Sequence, residues 1–377
     1  MKIAIIQPRI SYFAGGSEKV SLRHIEYLSK YKDLEIYVYT VKASKNYTTE
    51  YKNILNNLKS KVNFHELEIP KRFEYIYKVF GGTNQDRWDS ESILFSNLVY
   101  PFLCEKKFDV ILSYYFVDTL FKPFCSKNIV YLGGYPRQEI PIYNSFLKFC
   151  DGTFSNSSNV YNRWKNMIDR GGISHNYIIK KGVDDIDLKK INNYFDNKIF
   201  NIVYAGRLIK RKGVDILIEA FGSFSKNKDN VKLWILGDGP ADKELKKKAE
   251  ILGDKVIFVG FKSNVYDYFY HSDLCIFPSL EGEGLMNSVC EAMKCGKCII
   301  TTKNNGNEEI IKNNINGFLV EPGNAKELKE KIEFLYLNPK IIKLISVNAL
   351  SFAQQNFNWK EVAEDIHKKL LRITEKS

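Results

Sequence analysis

Short, mostly apolar segments alternate with longer segments of helical spacing along the whole chain, and no other feature constrains the fold as strongly. Several of the short segments are almost entirely apolar, which is typical of parallel strands buried on both faces. The alternation therefore predicts an α/β architecture with parallel sheets. Strands are predicted at residues 2–7, 35–40, 62–67, 109–114, 128–132, 152–155, 176–180, 200–205, 231–236, 255–259, 273–277 and 297–301. Helices are predicted at residues 17–30, 213–228, 241–252, 286–295, 324–336 and 359–373.

The alternating pattern runs through the chain twice, and 377 residues are enough for two domains. In each half a first strand leads into a glycine-containing loop, at Gly15-Gly16 and at Gly206-Arg207. The polar segment 181–199 lacks strand character and marks the junction. Two doubly wound domains that face each other would place the carboxyl ends of their strands at a shared cleft. The expected boundaries are 1–183 and 184–357 for the domains and 358–377 for a last helix.

The chain carries a formal net charge of +12, for which three explanations compete. A solvated basic surface is the simplest, and peripheral attraction to an anionic membrane or an anionic substrate is the second. Nucleic-acid binding is disfavoured, because no recognised nucleic-acid motif accompanies the charge. No apolar run approaches 18 residues, and the first segment is too short for a signal peptide. We therefore expect a cytoplasmic protein with no nucleic-acid partner, and peripheral contact with the inner face of the membrane is the open alternative.

The segment from Pro278 to Met293 carries two carboxylates, Glu283 and Glu291, eight positions apart around a turn that opens a helix. The start of a helix presents backbone N–H groups and the positive end of a dipole, which suits a phosphate. Carboxylates repel a phosphate, so they are better explained as acceptors for neutral hydroxyl groups of a sugar or ribose. Phosphate and hydroxyl groups together indicate a nucleotide sugar.

Three other glycine-containing loops follow predicted strands. Gly15-Gly16 permits close backbone approach to a ligand, although an ordinary loop with Ser17 as a helix cap explains it equally well. The loop from Gly206 to Gly213 contains four cations, which suit a diphosphate, against the alternative of a solvated basic loop. The turn at Gly237 is as compatible with a structural role as with a ligand-lining one.

Two short motifs resemble metal sites but lack the expected context. Asp185-Ile186-Asp187 has the spacing of a metal-assisted transferase, yet it lies in the predicted junction instead of at a strand end. Cys295-Gly296-Lys297-Cys298 is a single CxxC with no second pair or histidine cluster. We therefore predict no metal and no other cofactor.

The ordered series of motifs resembles the retaining glycosyltransferases of family 4, which have the GT-B fold. The resemblance spans nearly the whole chain. The matching motifs are GGSEKV from Gly15, Ser155-Asn156-Ser157, Lys181 to Asp184, Ala205-Gly206-Arg207 with Lys212-Gly213, Leu236 to Pro240, Phe258 to Phe261, Glu283 to Met293, Asn305 to Ile311 and Asn316 to Leu319. The segment from Glu283 resembles the E-x7-E signature of that family. The resemblance implies two Rossmann-like domains facing across a cleft, an acceptor-binding one and a donor-binding one, with the last helix crossing back to the N-terminal domain.

The resemblance also implies a role for each matching residue. Arg207 and Lys212 would hold the diphosphate, Glu283 would contact the donor sugar, and Glu291 would bind the ribose. These assignments make Arg207, Lys212 and Glu283 the catalytic set. The implied donor-binding residues are Gly15, Gly16, Gly206, Gly237, Phe261, Lys262, Gly284, Leu285, Met286, Asn287, Ser288 and Glu291. Among them, the backbone N–H groups from Leu285 to Ser288 would bind hydroxyl and phosphate oxygens, and Phe261 and Lys262 would line the base pocket.

The resulting hypothesis is a retaining, metal-independent glycosyltransferase that transfers a hexose or N-acetylhexosamine. UDP-linked donors are favoured over GDP-mannose, and the acceptor is expected to be a glycan or a lipid-linked glycan. A catalytically silent GT-B protein that serves as a binding partner or scaffold is the main alternative. A nicotinamide-dependent oxidoreductase is disfavoured, because no G-x-G-x-x-G follows the first strand.

One position departs from the family pattern. Many members carry a histidine after a strand of the first domain, and Gly134 stands at the matching position here. The substitution leaves open how the region of the sugar 6-hydroxyl is oriented. A donor without that hydroxyl, a replacement group such as Arg137, and loss of activity are the three explanations, of which altered donor choice is favoured because the phosphate and glutamate motifs are intact.

Overall fold

A computed structural model describes residues 1–10, 15–42, 49–69, 84–114, 123, 126–136, 147–303 and 306–375. The strands within this part of the chain are β1 (Lys2–Ile6), β2 (Glu35–Val41), β3 (Asn63–Leu67), β4 (Val110–Ser113), β5 (Lys127–Leu132), β6 (Gly152–Ser155), β7 (His175–Ile178), β8 (Phe200–Ala205), β9 (Val231–Leu236), β10 (Val256–Gly260), β11 (Leu274–Phe277), β12 (Cys298–Thr302) and β13 (Phe318–Val320). The α-helices are α1 (Gly16–Leu28), α2 (Thr49–Lys59), α3 (Asn84–Lys106), α4 (Ser158–Arg170), α5 (Val214–Ser225), α6 (Asp242–Ala249), α7 (Tyr266–Phe269), α8 (Asn287–Lys294), α9 (Ala325–Leu337), α10 (Pro339–Asn356) and α11 (Trp359–Thr374).

Each of the twelve predicted strands is present, and the prediction of parallel α/β sheets is confirmed. The thirteenth strand, β13, was not predicted, because three residues are too few to show a periodicity. Within the described ranges, no helix combines the length and the apolar character needed to cross a membrane.

The described residues divide into two compact units. Unit 1 comprises Met1–Gly182 together with Trp359–Ser377, and unit 2 comprises Val183–Asn358. The divisions fall within one residue of the boundaries expected from the sequence. The last helix, α11, therefore belongs to unit 1, where it packs against α1.

Unit 1 contains a parallel seven-stranded sheet in the order β3-β2-β1-β4-β5-β6-β7. The chain leaves β1 toward one edge of the sheet and later returns to β4 on the other side of β1, so β1 and β4 flank the topological switch point. The apolar side chains of α11 join the core formed by β1, β2 and α1. Trp359 at the start of α11 covers Gly182, where a Cβ atom would lie 2.2 Å from the indole ring. Only a residue without a side chain fits beneath that ring.

A buried histidine lies within the same core. His24 of α1 is 1% exposed, its Nδ1 hydrogen-bonds the hydroxyl group of Tyr114 at 2.6 Å, and its ring meets that of Trp359 edge-on. Burial, reinforced by the positive charge of Lys181, lowers the pKa of His24 to about 3. His24 is therefore a neutral packing residue at physiological pH.

The buried histidine predicts an acid-dependent loss of stability. The pKa of His24 is lowered on folding. The contribution of the neutral ring to the free energy of unfolding is therefore complete above the unfolded-state pKa of 6.5 and is lost as the pH falls toward about 3. Between pH 6.5 and pH 4 we expect the free energy of unfolding to fall by about 3 kcal/mol on account of this residue. Chemical unfolding of the wild type and of His24→Gln at several pH values measures the difference. An identical pH dependence in both proteins would show that His24 does not stay neutral in the fold.

Unit 2 contains a parallel six-stranded sheet in the order β10-β9-β8-β11-β12-β13. From β8 the chain proceeds outward to β9 and β10, then crosses to β11 on the other side of β8 and proceeds to β12 and β13. The strand order therefore reverses between β8 and β11, and the carboxyl ends of the strands on either side of a reversal form the usual ligand crevice. The loop that leaves β8 contains the cations singled out in the sequence, and the loop that leaves β11 contains Glu283 and leads into α8, on which Glu291 lies.

Candidate functional site

The loops after β8 and β11 are joined along their backbones at the switch point of unit 2. The backbone N–H of Leu280 donates to the carbonyl oxygen of Arg211 at 2.8 Å. Gly213 has φ of +64°, and a Cβ atom there would lie 2.1 Å from the carbonyl oxygen of Pro278. The backbone at Gly213 thus requires glycine both for its left-handed conformation and for the close approach of the second loop.

Three charged side chains form an ion cluster across these two loops. The ammonium group of Lys212 lies 2.9 Å from Oε2 of Glu283. The guanidinium of Arg211 binds the other carboxylate oxygen, Oε1, and also donates to the carbonyl oxygen of Gly282 at 3.1 Å. The side chains of Lys212 and Glu283 are 10% and 12% exposed, whereas that of Arg211 is 36% exposed. Glu283 is therefore a nearly buried carboxylate with a cation on each oxygen.

The charge of Lys212 is held in an unfavourable environment despite its ion pair. Burial lowers the pKa of the Lys212 ammonium, the nearby cations Arg211 and Arg207 act in the same direction, and Glu283 opposes them. Burial outweighs the single carboxylate because removing an ammonium group from water costs more than one partner returns. A bound anion would relieve this cost, so the cluster favours negatively charged ligands.

Arg207 lies on the exposed part of the loop, directly after Gly206. Its charge is near enough to influence the pKa values of both Lys212 and Tyr204. The hydroxyl group of Tyr204 donates to the carbonyl oxygen of Arg207 at 3.1 Å, which fixes the backbone at the start of the loop. Arg207 is thus an exposed cation at the edge of the same crevice.

Gly206 and Gly237 bring the loops after β8 and β9 into backbone contact. A Cβ atom on Gly237, whose φ is +137°, would lie 1.9 Å from the carbonyl oxygen of Gly206. The N–H of Gly206 donates to the carbonyl oxygen of Leu236 at 3.0 Å, and the N–H of Gly237 donates to that of Gly260 at 2.9 Å. Both glycines therefore hold the loops in place through their backbones.

Helix α8 begins beside the ion cluster, and its N-cap residue provides no side-chain cap. Met286 precedes the helix in an extended conformation, and its side chain makes no capping hydrogen bond. The backbone N–H of Met286 donates to Oδ1 of Asn307 at 3.0 Å. The prediction that the N–H group of Met286 binds the ligand is therefore wrong, because Asn307 already accepts from it. The neighbouring residue Gly284 is held by Gly306, where a Cβ atom would lie 2.6 Å from the carbonyl carbon of Gly284.

Glu291 lies on α8 one turn after Asn287 and Ser288, so the three residues share a side of the helix. All three are partly exposed, whereas Leu285 and Met286 are buried. Phe261 and Lys262 follow β10 and are both exposed, Phe261 to 50% of its surface. Because β10, β9, β8 and β11 are parallel neighbours, the segments that follow them all lie at one edge of the sheet.

The predicted site residues of the other half lie in unit 1. Gly15 precedes α1 and Gly16 begins it, and the first turn contains Glu18, which forms a buried ion pair with Arg9 at 3.5 Å. A Cβ atom at Gly134 would have no atom within 4 Å, so the position has open space beside it. Arg137, the suggested replacement for the missing histidine, lies outside the described residues.

The described residues contain no group of three or more His, Cys, Asp or Glu side chains that could hold a metal ion. Asp185 pairs with Lys294 at 2.9 Å and Asp187 with Lys190 at 3.0 Å. Burial raises the pKa of the Cys298 thiol to about 12, so this cysteine is an inert packing residue at neutral pH.

Sequence reasoning did not assign roles to two residues of this site. The sequence shows Arg211 as one of four cations in its loop and does not distinguish it from Lys210. The turn Lys210–Lys212 is a 3-10 helix, which directs consecutive side chains in different directions, and only the folded loop shows that Arg211 turns toward Glu283. Asn307 is fully buried and holds the start of α8 from a loop after β12, which no local pattern indicates.

Most of the second half of the chain is similar to a family of known proteins. Residues 184–350 match the family model of Glycosyl transferases group 1. The uncharacterized glycosyltransferase MJ1069 of Methanocaldococcus jannaschii is 34% identical over 190 residues, which cover 49% of this chain and 48% of MJ1069. The uncharacterized glycosyltransferase MJ1178 of the same organism is 26% identical over 386 residues, which cover 97% of both chains. The first match thus spans about half of its relative, and the second spans nearly all of it.

A solved structure extends the similarity to the fold of the whole chain. Anabaena Alr3699/HepE, determined in complex with UDP and glucose, matches with a TM-score of 0.74 at 20% identity over 99% of this chain and 100% of that chain. At this level of identity the likeness establishes the fold alone. The GT-B prediction is thereby confirmed.

Proposed function

Because residues 184–350 match the family model of Glycosyl transferases group 1, we propose that the chain is a retaining glycosyltransferase that uses a nucleotide-diphosphate sugar. The observation that carries the proposal is the ion cluster of Arg211, Lys212 and Glu283 at the switch point, beside the start of α8. The membership of the domain in family 4, with Glu283 and Glu291 as its E-x7-E pair, is part of the proposal.

The proposed chemistry follows from the charges of the site. Glycosyl transfer passes through an oxocarbenium-like state while negative charge accumulates on the departing diphosphate. Arg207 and Lys212 bind that diphosphate, together with the backbone N–H groups at the start of α8. Fixed cations and N–H groups stabilise the departing charge without reorganising during the reaction, and one such donor is worth about 3 kcal/mol. The proposed mechanism uses no metal.

The two glutamates have different proposed partners. Glu283 lies within the ion cluster and contacts the donor sugar near the reacting carbon. Glu291 lies about one turn into α8 and accepts hydrogen bonds from the ribose hydroxyl groups. Phe261 is half exposed at the same sheet edge and stacks on the nucleotide base, a contact that tolerates any base.

The donor is proposed to be a UDP-linked hexose or N-acetylhexosamine, with GDP-mannose as the second choice. The UDP bound to the structural neighbour supports this order. The acceptor is proposed to be a glycan or lipid-linked glycan bound by unit 1, in the cytoplasm or at the inner face of the membrane. The net charge of +12 supports attraction to an anionic membrane or substrate.

A donor screen tests the proposed function. The wild-type protein is incubated with UDP-glucose, UDP-galactose, UDP-N-acetylglucosamine and GDP-mannose, and the released nucleotide is measured by mass spectrometry. We expect release of UDP from at least one donor, by transfer or slow hydrolysis. Analysis of the product by NMR then establishes whether the anomeric configuration is retained. A protein that binds these nucleotides but releases none would instead be the catalytically silent alternative.

The lowered pKa of Lys212 predicts that nucleotide binding weakens at alkaline pH. Lys212 loses its proton at lower pH than an ordinary lysine, so the affinity for UDP should fall as the pH rises through this lowered pKa. Arginine keeps its charge throughout that range, so Lys212→Arg should retain its affinity to higher pH. Calorimetric titration of UDP at several pH values measures both profiles. Parallel profiles in the two proteins would assign the pH dependence to another group.

A further inference from the structure

The ion cluster contains a residue whose position is not explained by donor binding itself. The guanidinium of Arg211 pairs with Oε1 of Glu283, and Nζ of Lys212 lies 2.9 Å from Oε2. Arg211 is also fixed by its hydrogen bond to the carbonyl oxygen of Gly282 at 3.1 Å and by the bond from Leu280 to its own backbone oxygen at 2.8 Å. Arg211 is therefore held beside the carboxylate by two bonds from one guanidinium nitrogen and by one backbone bond, which together link the loop after β8 to the loop after β11.

The proposed function requires Lys212 to interact with two different anions. In the structure the Lys212 ammonium pairs with Glu283, whereas in the proposed mechanism it binds the donor diphosphate. Glu283 is 12% exposed, so its carboxylate cannot rely on water when Lys212 turns away. A nearly buried carboxylate that loses its last cation is strongly unfavourable. A second cation on Glu283 removes this obstacle.

The charges of the cluster agree with such an arrangement. Arg207, Arg211 and Lys212 carry three positive charges, and the carboxylate of Glu283 offsets one of them. The net formal charge of these four groups is then +2, which matches in magnitude the two negative charges of a diphosphate esterified at both ends. Without Arg211, the Glu283 carboxylate would offset the charge of Lys212, and the net charge of these groups would fall to +1.

We infer that Arg211 is the permanent counter-ion of Glu283, which releases Lys212 to bind the donor diphosphate. The inference rests on the proposed function and adds to it a positioning residue. Arg211 does not touch the diphosphate. It acts by holding the carboxylate in place and by keeping that carboxylate from competing with the ligand for Lys212.

A double-mutant cycle tests this role through the affinity for UDP, measured by calorimetry. We expect Arg211→Ala to weaken UDP binding at least about 10-fold in the wild-type background, because Lys212 becomes the only partner of Glu283. In a Glu283→Gln background the amide no longer captures Lys212, so the same substitution should weaken binding by no more than about 3-fold. Arg211→Lys keeps the charge without the planar fork and should give an intermediate affinity.

Lys210→Ala provides the matched control. It removes one positive charge from the same turn, but Lys210 is exposed and has no ion pair with any residue that the structure describes. We expect its effect on UDP affinity to stay below about 3-fold and to be the same in both backgrounds. Circular dichroism and chemical unfolding of each variant show whether a loss of affinity follows from a loss of the fold.

Two outcomes contradict the inference in different ways. If Arg211→Ala weakens UDP binding equally in the wild-type and Glu283→Gln backgrounds, or no more than Lys210→Ala does, Arg211 contributes only general attraction. That result would overturn the inference and leave the proposed function intact. A wild-type protein that does not bind UDP would overturn the proposed donor and the inference together.

Discussion

Lys212→Ala is expected to lower the rate of donor turnover about 10²- to 10³-fold. Lys212 is the most buried cation of the switch-point loops, so its charge is poorly screened by water and acts strongly on the departing diphosphate. Removing one fixed donor of this kind costs about 3 kcal/mol in the transition state. Release of nucleotide from the best donor of the screen, followed at saturating donor concentration, measures the effect.

Two further variants separate the role of Lys212 from the general charge of the loop. Lys210→Ala removes a charge two residues away on the exposed side of the same turn, and it should leave turnover within about 3-fold of the wild type. Lys212→Arg retains a cation and should recover part of the rate. Equal losses from Lys210→Ala and Lys212→Ala would contradict the assignment of Lys212 to the diphosphate.

Gly237→Ala is expected to destabilise unit 2 by at least about 3 kcal/mol. The backbone at Gly237 has φ of +137°, which side-chain-bearing residues rarely adopt, and this alone costs about 1 to 3 kcal/mol. The new methyl group would also lie 1.9 Å from the carbonyl oxygen of Gly206, which forces the two loops apart. Chemical unfolding measures the loss of stability, and UDP titration measures the accompanying loss of affinity.

Gly296→Ala is the matched control for this prediction. Gly296 also has a positive φ, of +64°, but its nearest neighbour would be the side chain of Leu350 at 3.5 Å, an ordinary contact. We expect a loss of about 1 kcal/mol at this position, from the backbone conformation alone. Similar losses at Gly237 and Gly296 would show that the loops after β8 and β9 separate easily.

Much of the fold was predictable because the strands are buried on both faces. Segments such as Ile202–Ala205 and Leu274–Phe277 are nearly all apolar and are followed by glycine or proline, so the pattern identifies them without reference to the rest of the chain. The short strand β13 was missed because it depends on pairing with β12 and has no periodicity of its own. The sequence also did not show where the strand order reverses, which depends on which strands pair across the sheet.

The site was predictable only in part. Both loops that meet at the switch point were predicted, one from the spacing of Glu283 and Glu291 and the other from the basic residues that follow Gly206. The ion pair between the two loops was not predicted, because Lys212 and Glu283 are 71 positions apart and the pair forms only once β8 and β11 are adjacent. The capture of the Met286 N–H by Asn307 likewise depends on a loop that reaches the site from β12.

The central claim is that the switch-point loops of unit 2 bind a nucleoside diphosphate, and calorimetric titration of UDP tests it most directly. The wild type, Lys210→Ala and the double variant Arg207→Ala/Lys212→Ala are titrated under identical conditions, with GDP as a second ligand. We expect the wild type and Lys210→Ala to bind UDP with similar affinity and the double variant to lose at least about 100-fold in affinity. Binding of UDP by the double variant with wild-type affinity would contradict the account.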